Sequence, residues 1–200
     1  SLKVSKSKQK LKEKLNLPKN KTLLLFTGKV IPRKFLEPVF ESLKCLKNCH
    51  FIILGQTNEQ YYGDNYYKYL TRKYSNLLSQ VTFVGEVPQY KVKEYLKACD
   101  IFVFPSKKEG SPNSVLEAMT LKLPVVCSTI PSHKEIIQHG KTGYLFKSVK
   151  EIVQIISKLQ QDKKLKRKIG NNANKYVKNN HDIKITSKRY YDLYRKVLSK

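Results

Sequence analysis

Two acidic residues with seven residues between them, Glu109 and Glu117, stand beside a predicted helix start and are the most chemically suggestive feature of this chain. The apolar residues 101–104 before them predict a buried strand. We expect a helix next, with Ser111 as its N-cap and Pro112 as its first residue. A helix N-terminus can bind phosphate, and a carboxylate can accept hydrogen bonds from neighbouring hydroxyl groups. This pattern favours a ligand that offers both groups, as a nucleotide sugar does.

The apolar pattern of the whole chain predicts the elements that position these acids. Short apolar runs predict six strands, at residues 22–27, 50–55, 80–84, 101–104, 123–128 and 143–146. Apolar residues at helical spacing predict helices over residues 36–46, 59–78, 89–99, 112–119 and 132–138, and three more after residue 149. Alternating strands and helices favour an α/β fold: a Rossmann-like parallel sheet with helices on both faces.

Several motifs follow one another in the order that one family uses. They are Thr27-Gly-Lys29, Phe83-Val-Gly-Glu-Val87, residues 100–106, Glu-x7-Glu with Ala118-Met119, Glu135 and Gly143-Tyr-Leu145. Together they resemble the retaining GT-B glycosyltransferases of family 4, or group 1, and cover only the carboxy-terminal, donor-binding half. The resemblance implies three regions. Residues 1–21 would be a linker remnant, residues 22–182 the nucleotide-sugar-binding domain, and residues 183–200 a helix that packs on an amino-terminal GT-B domain missing from this chain.

The resemblance assigns catalytic roles to Glu109, Lys34 and Lys29. Glu109 would approach the donor sugar, and the two lysines would pair with the donor diphosphate. Lys29 stands where the family has Arg, which keeps the charge but loses the forked geometry. Arg33 is a substitute cation, and a solvated loop lysine is an equal alternative for Lys29. Phe35 departs from the family, which often has Gly after the second lysine.

Six further residues are expected to bind the nucleotide, again by resemblance: Gly28, Gly85, Val87, Asn113, Ser114 and Glu117. The turn at Gly85 and Val87 would meet the base, the amides of Asn113 and Ser114 the diphosphate, and Glu117 the ribose hydroxyl groups. The donor would be UDP-, GDP- or ADP-linked. No cofactor and no metal are expected, because no Asp-x-Asp motif is present and lysines can supply the positive charge.

The composition bounds the class of protein. The chain has 200 residues, 40% of them hydrophobic, and a formal net charge of +25. It lacks a run long enough to cross a membrane and a signal-peptide core, so a cytoplasmic protein is expected. Lysines that solvate the helix faces are the first explanation of this charge, and peripheral contact with the anionic inner face of a membrane is the functional alternative. Cys45, Cys49, Cys99 and Cys127 are expected to be buried free thiols, and His133 and His139 exposed loop residues.

The expected function is transfer of a sugar from a nucleotide-diphosphate sugar to a saccharide or lipid-linked acceptor in cell-surface polysaccharide synthesis. A noncatalytic nucleotide-binding module and a basic nucleic-acid-binding protein are alternatives of other classes. No nucleic-acid partner is expected, since the chain has no helix-turn-helix, zinc-finger or RNA-binding aromatic signature. A phosphorylase of the same fold also fits this half of the sequence.

Overall fold

The strands and helices alternate along the chain. The computed structural model describes residues 2–57, 60–61 and 64–198. The strands are Thr22–Thr27 (β1), Cys49–Leu54 (β2), Gln60–Tyr61 (β3), Asp64–Asn65 (β4), Val81–Gly85 (β5), Ile101–Phe104 (β6), Val125–Ser128 (β7) and Tyr144–Phe146 (β8). The helices are Leu2–Lys14 (α1), Glu37–Leu43 (α2), Tyr66–Lys73 (α3), Gln89–Ala98 (α4), Asn113–Thr120 (α5), Pro131–Ile136 (α6), Val149–Gln161 (α7), Lys163–Asn180 (α8) and Ile183–Leu198 (α9).

A parallel sheet of six strands forms the centre of the protein, in the order β5-β2-β1-β6-β7-β8. Every residue of β2 and β6 is buried, which is why β6 and residues 51–54 of β2 read as continuous apolar runs. All six strands predicted from the sequence are present, within two residues at each end. The predicted α/β fold with a Rossmann-like parallel sheet is therefore confirmed.

The order of the strands creates a switch point between β1 and β6. From β1 the chain winds outward through β2 to β5, and then it crosses back to β6 and winds the other way to β8. Right-handed crossovers that run in opposite directions place their helices on opposite faces of the sheet. Accordingly, α2 packs against α7, whereas α5 packs against α8 and α4 against α1. The connections that follow β1 and β6 therefore lead to opposite faces of the sheet and leave a crevice beyond the carboxyl ends of these strands.

The helix predicted over residues 59–78 is wrong in extent. The two-stranded hairpin of β3 and β4 comes first, and the helix α3 ends at Lys73 before a 3-10 turn at Ser75–Gln80. Asn65 starts the helix late because its side chain accepts the Lys68 N–H at 3.2 Å, as an N-cap does. Glu59 and Tyr62, which were part of that prediction, lie outside the described residues.

Both ends of the chain are helical. Helix α1 packs on the domain through ion pairs, including Lys8 with Asp100 at 2.7 Å. Helix α9 exposes a run of apolar and aromatic side chains: Tyr190, Tyr191, Leu193, Tyr194, Val197 and Leu198. The assignment of residues 1–21 to a linker and of 183–200 to a contact with another domain stays a prediction. None of the helices in the described part of the chain is long and apolar enough to span a membrane.

Candidate functional site

The loops after β1 and β6 meet at the switch point of the sheet. The backbone N–H of Lys107 donates to the carbonyl of Arg33 at 3.0 Å, which ties the two loops together. Open α/β sheets bind ligands at this position, beyond the carboxyl ends of the strands where the connections diverge. The sequence-predicted residues of both loops are therefore brought to one place by the strand order.

Lys34 and Glu109 form a nearly buried ion pair in this crevice. Lys34 Nζ lies 2.7 Å from Glu109 Oε1, and the side chains are only 11% and 8% exposed. The Phe104 ring lies below the ammonium group, with 4.7 Å between Nζ and the ring centroid. Arg33 adds a second, more exposed cation, 3.3 Å from Glu109 Oε2. Two predicted residues thus contact each other directly, where the sequence predicted a lysine that faces a diphosphate.

The ion pair keeps Glu109 negatively charged. Burial by itself would raise the pKa of this carboxyl group. The hydrogen bond from Lys34, with the charges of Lys34 and Arg33, outweighs burial and holds the pKa of Glu109 below its usual value. A carboxylate that is ionised and fixed in position can accept hydrogen bonds from sugar hydroxyl groups.

A short 3-10 turn, Pro32–Lys34, directs Lys34 into the crevice. The turn closes at Phe35, whose N–H donates to Pro32 O and whose backbone is left-handed (φ 48°, ψ 59°). Lys29, which precedes the turn, is exposed and lies on the same loop. Of the three cations that the sequence offered, Lys34 is the one that the fold buries against Glu109.

A polar cavity of about 220 Å³ lies beside the ion pair. Its lining includes five of the six residues predicted to bind a nucleotide: Gly28, Val87, Asn113, Ser114 and Glu117. Gly85, the sixth, has a φ of +80°, and its carbonyl accepts the Gly55 N–H at 2.8 Å. This volume is below the 300–1,000 Å³ usual for ligand sites, so the cavity would hold a nucleoside and not a whole nucleotide sugar.

Gly28 and Gly55 line the cavity at a point where two backbone segments approach closely. Gly55 has a φ of +140°, and a Cβ there would lie 1.9 Å from the carbonyl oxygen of Gly28. Only glycine can take this conformation so near another backbone. The loops that leave β1 and β2 can therefore pass each other closely at the bottom of the cavity.

Glu117 reaches the cavity from α5. Its Oε1 accepts a hydrogen bond from Gln89 Nε2 at 3.1 Å, and both residues line the cavity. Gln89 was not predicted, because a lone glutamine in a helix carries no sequence signal. Its amide would hold the Glu117 carboxylate toward a ligand.

The predicted start of α5 needs a correction. The helix begins at Asn113, and its N-cap is Pro112, which has no side-chain hydrogen bond. Ser111 is not the cap, because its hydroxyl instead donates to Asn113 Oδ1 at 3.0 Å. The Asn113 N–H donates to Ser111 O at 3.0 Å, so one of the two amides predicted to bind a diphosphate is already hydrogen-bonded. Ser114 lines the cavity from the first turn of the helix.

His133 was predicted to be exposed and is fully buried in α6, whereas His139 is exposed as predicted. The Nδ1–H of His133 donates to Ser128 O at 2.8 Å, and His133 Nε2 has no hydrogen-bond partner among the described residues. Burial lowers the pKa of His133, so the ring is neutral at pH 7. Its spacing to Ile136 places both on one helical face, a signal that could have revealed its burial.

Two other predictions concern metal ligands and cysteines. In residues 2–57, 60–61 and 64–198, no group of three or more His, Cys, Asp or Glu side chains could hold a metal ion. Cys49, Cys99 and Cys127 are buried free thiols, as predicted. The prediction is wrong for Cys45, which is exposed just beyond the end of α2.

The fold and the arrangement of loops define a Rossmann-like α/β domain with a candidate ligand site, and comparison with known proteins identifies its family. The family model for glycosyl transferases group 1 matches residues 7–176. The chain therefore belongs to the group 1 glycosyltransferases.

Individual relatives agree with this assignment. The N,N'-diacetylbacillosaminyl-diphospho-undecaprenol alpha-1,3-N-acetylgalactosaminyltransferase of Campylobacter jejuni is 29% identical over 197 residues, which are 97% of this chain and 50% of that protein. HepE of Anabaena, solved with UDP and glucose, has the same fold, with a TM-score of 0.85 and 21% identity over 96% of this chain and 52% of its own. Some curated relatives match nearly all residues of this chain, and the chain spans about half the length of those proteins.

A third structure corresponds to this region alone. The carboxy-terminal domain of the group 1 glycosyl transferase LpcC from Francisella tularensis has a TM-score of 0.75 and 26% identity. The match covers 88% of this chain and 93% of that domain. The chain is therefore similar to the carboxy-terminal half of longer group 1 enzymes.

Proposed function

We propose that this chain is the donor-binding half of a retaining glycosyltransferase. It would take a nucleotide-diphosphate sugar and pass the sugar to a saccharide or lipid-linked acceptor in cell-surface polysaccharide synthesis. The observation that carries the proposal is the position of the Lys34–Glu109 ion pair beside the cavity that Glu117 lines. The names of relatives support it, since HepE was solved with UDP and the Campylobacter enzyme is named for a diphospho-undecaprenol acceptor.

Each part of the donor has a place in this proposal. The base and ribose enter the polar cavity, where Val87 meets the base and Glu117 accepts from the ribose hydroxyl groups. The diphosphate lies between the start of α5 and the lysines at positions 29 and 34. Glu109 then faces the sugar. Departure of the nucleoside diphosphate is stabilised by fixed positive charge, without a cofactor or a metal ion.

Retention of configuration is part of the proposal and rests on the family. So does the second domain, which would close the crevice and supply the rest of the acceptor site. The net charge of +25 supports a peripheral position at the cytoplasmic face of an anionic membrane. We expect the isolated chain to bind donor nucleotide but to transfer sugar slowly, because the cleft needs both domains.

Calorimetric titration with UDP, GDP and ADP tests the donor assignment. We expect one nucleotide to bind best, and Glu117→Ala to weaken it by about 1–3 kcal/mol, the usual effect of losing a charged hydrogen bond. Glu13→Ala is the control, because Glu13 pairs with Lys19 at the surface and does not line the cavity. Unchanged affinity in Glu117→Ala would contradict the assignment of the cavity.

The two alternative functions predict different results in binding and transfer assays. A noncatalytic module would bind the nucleotide but show no transfer even when it is assayed joined to an amino-terminal GT-B domain. A nucleic-acid-binding protein would bind no nucleotide in the polar cavity. It would instead show salt-dependent DNA or RNA binding that weakens on charge reversal far from Glu109.

A further inference from the structure

A cavity of about 680 Å³ lies at the amino edge of the sheet and is called here the amino-edge cavity. Asp100 and Pro124, which directly precede β6 and β7, line it together with residues of α1, α4 and α8. The donor site lies at the opposite, carboxyl edge, and its polar cavity shares none of these residues. A ligand of the amino-edge cavity would therefore bind without entering the donor site.

Cations are concentrated in the lining of the amino-edge cavity. Of the fourteen described residues that line it, six are Lys or Arg and one is acidic. In the whole chain, Lys and Arg are 40 of 200 residues, and Asp and Glu are 15. Cations are thus about twice as frequent in this lining as in the chain, whereas acids are not enriched. The six come from four separate parts of the fold: Lys8, Lys97, Lys122, Lys163, Lys166 and Arg167.

A single carboxylate serves the inner cations of this cavity. Asp100 accepts a hydrogen bond from Lys8 Nζ at 2.7 Å and one from the Leu23 N–H at 3.0 Å. The ammonium groups of Lys12 and Lys166 lie 3.6 Å from its oxygens, which is beyond hydrogen-bond distance. Lys166 has no closer acidic partner among the described residues, although its side chain is only 25% exposed. Three cations thus share one carboxylate, and Lys166 is short of an anion.

The positive charge around Lys166 is not balanced by the protein. Burial lowers the pKa of Lys166, and the charges of Lys8 and Lys12 lower it further, against the opposite effect of Asp100. The first turn of α8, which begins at Lys163, carries no acid, so the dipole of this helix adds positive potential. Sequences that break such local rules do so mainly at functional sites. An anionic ligand would supply the missing negative charge.

Phosphate groups suit this arrangement. Five of the six cations in the lining are lysines, whose ammonium groups bind phosphate as point charges. Because the cations come from several elements, they can pair with more than one negative charge. The volume of the cavity lies within the 300–1,000 Å³ typical of small-molecule sites. A concave site of this size admits a small phosphorylated molecule or a headgroup.

We propose that the amino-edge cavity binds the phosphate groups of an anionic ligand, at a site separate from the donor site. Lys8 and Lys166 would pair with one phosphate group, and the exposed Lys163 and Arg167 would pair with another. The phosphate groups belong either to a free small molecule or to lipid headgroups, and vesicle binding distinguishes these sources. The inference does not depend on the proposed transferase function, because none of its residues lines the polar cavity.

Calorimetric titration of the 200-residue chain with sodium tripolyphosphate tests the site. Salt at about 0.15 M screens weak attraction to the basic surface. The best-bound nucleotide among UDP, GDP and ADP is kept saturating, so that the probe cannot occupy the donor site. We expect tripolyphosphate to bind about tenfold or more tighter than inorganic phosphate, since only the longer anion can pair with both groups of cations. If no nucleotide binds, the proposed function fails, and the same titration without nucleotide still tests this inference.

Two double variants of α8 locate the binding. Lys163→Gln with Arg167→Gln removes two charges that line the cavity. Lys164→Gln with Lys168→Gln is the matched control, because it removes two exposed charges at the same spacing from positions that do not line the cavity. We expect the first pair to weaken tripolyphosphate binding about tenfold and the control pair to weaken it less than about twofold.

Lys166→Met separates ligand binding from a structural role. Methionine keeps the length of the side chain and removes the charge that lacks a close anion. We expect the affinity for tripolyphosphate to fall about tenfold, whereas the urea midpoint of the ligand-free protein should stay the same or rise. A lower midpoint with unchanged affinity would show that Lys166 only stabilises the fold, and it would overturn the inference.

Cosedimentation with phosphatidylglycerol vesicles identifies the source of the phosphate groups. Vesicle binding that is lost in the variant at 163 and 167 but kept in the control pair would assign them to lipid headgroups. Equal vesicle binding by both pairs, with tripolyphosphate binding lost only in the first, would assign them to a free ligand. Equal weakening of tripolyphosphate by the two pairs would show attraction to the basic surface as a whole and overturn the inference. So would a protein that binds its nucleotide but no tripolyphosphate, and the proposed function would then still stand.

Discussion

Replacing Lys34 by methionine removes one charge from the buried pair and keeps the length of the side chain. The Glu109 carboxylate, 8% exposed, would lose its 2.7 Å contact with Lys34 and keep Arg33 at 3.3 Å. Breaking a buried ion pair costs about 3–5 kcal/mol, whereas an exposed pair contributes at most about 1 kcal/mol. Because Arg33 remains, we expect Lys34→Met to lower the free energy of unfolding at pH 7 by about 2–3 kcal/mol.

The pH dependence of this loss follows from the pKa of Glu109. Since the folded pKa is depressed, the carboxylate contributes stability above its unfolded pKa and loses it as the pH falls through the folded value. The difference between wild type and Lys34→Met should therefore shrink on acidification below pH 4. Once Glu109 is protonated it carries no charge, so replacing Lys34 leaves no buried charge unpaired.

Urea unfolding at pH 7 and pH 3.5, followed by circular dichroism, measures both effects. Arg33→Met is the matched control and should cost about 1 kcal/mol or less, because Arg33 is 43% exposed. Lys34→Met combined with Glu109→Gln should be more stable at pH 7 than Lys34→Met alone, since no charge is left buried without its lysine. A cost for Lys34→Met that is the same at both pH values would refute the reasoning.

Three more outcomes are expected. Asp100→Asn should lower the free energy of unfolding at pH 7 by about 3 kcal/mol, measured by urea unfolding, because it removes the charge that a cluster of lysines surrounds. Gly170→Ala should destabilise by about 2 kcal/mol or more, since a Cβ there lies 2.1 Å from Lys122 O, whereas the control Gly110→Ala, with nothing within 4 Å, should stay within about 0.5 kcal/mol. Cys45 should be the one thiol that iodoacetamide labels quickly in the folded protein, because it alone of the four cysteines is exposed; mass spectrometry after brief labelling would show rapid modification elsewhere if this is wrong.

The strands could be predicted from the sequence because burial on both faces leaves an unbroken apolar run. The bounds of the helix at residues 59–78 could not be predicted in this way. The spacing of the aromatic residues indicates a helix but not its first residue, which the Asn65 cap determines. The sequence also did not show which distant residues contact each other in the fold. Lys34 and Glu109 are 75 residues apart, and their direct contact follows from the neighbouring positions of β1 and β6. Gln89 was missed for the same reason, as it meets Glu117 across 28 residues.

Two buried clusters of charge lie in the part of the chain that the structure describes, and their positions in the fold separate their roles. Asp100 lies at the amino end of β6, where it accepts the Leu23 N–H at 3.0 Å and pairs with Lys8 of α1, while Lys166 of α8 lies 3.6 Å away. This carboxylate satisfies a backbone donor and joins three elements, so its role is structural.

The Lys34–Glu109 pair lies at the opposite, carboxyl edge of the sheet, beside the polar cavity. A buried ion pair is a poor source of stability, since apolar replacements often serve as well. Its value at this edge is a fixed, ionised carboxylate beside a cation, which a charged substrate can use. Variants of Asp100 should therefore change stability and leave nucleotide affinity intact, whereas Lys34→Met should change both. If nucleotide affinity follows stability equally in the two variants, the distinction between the clusters fails.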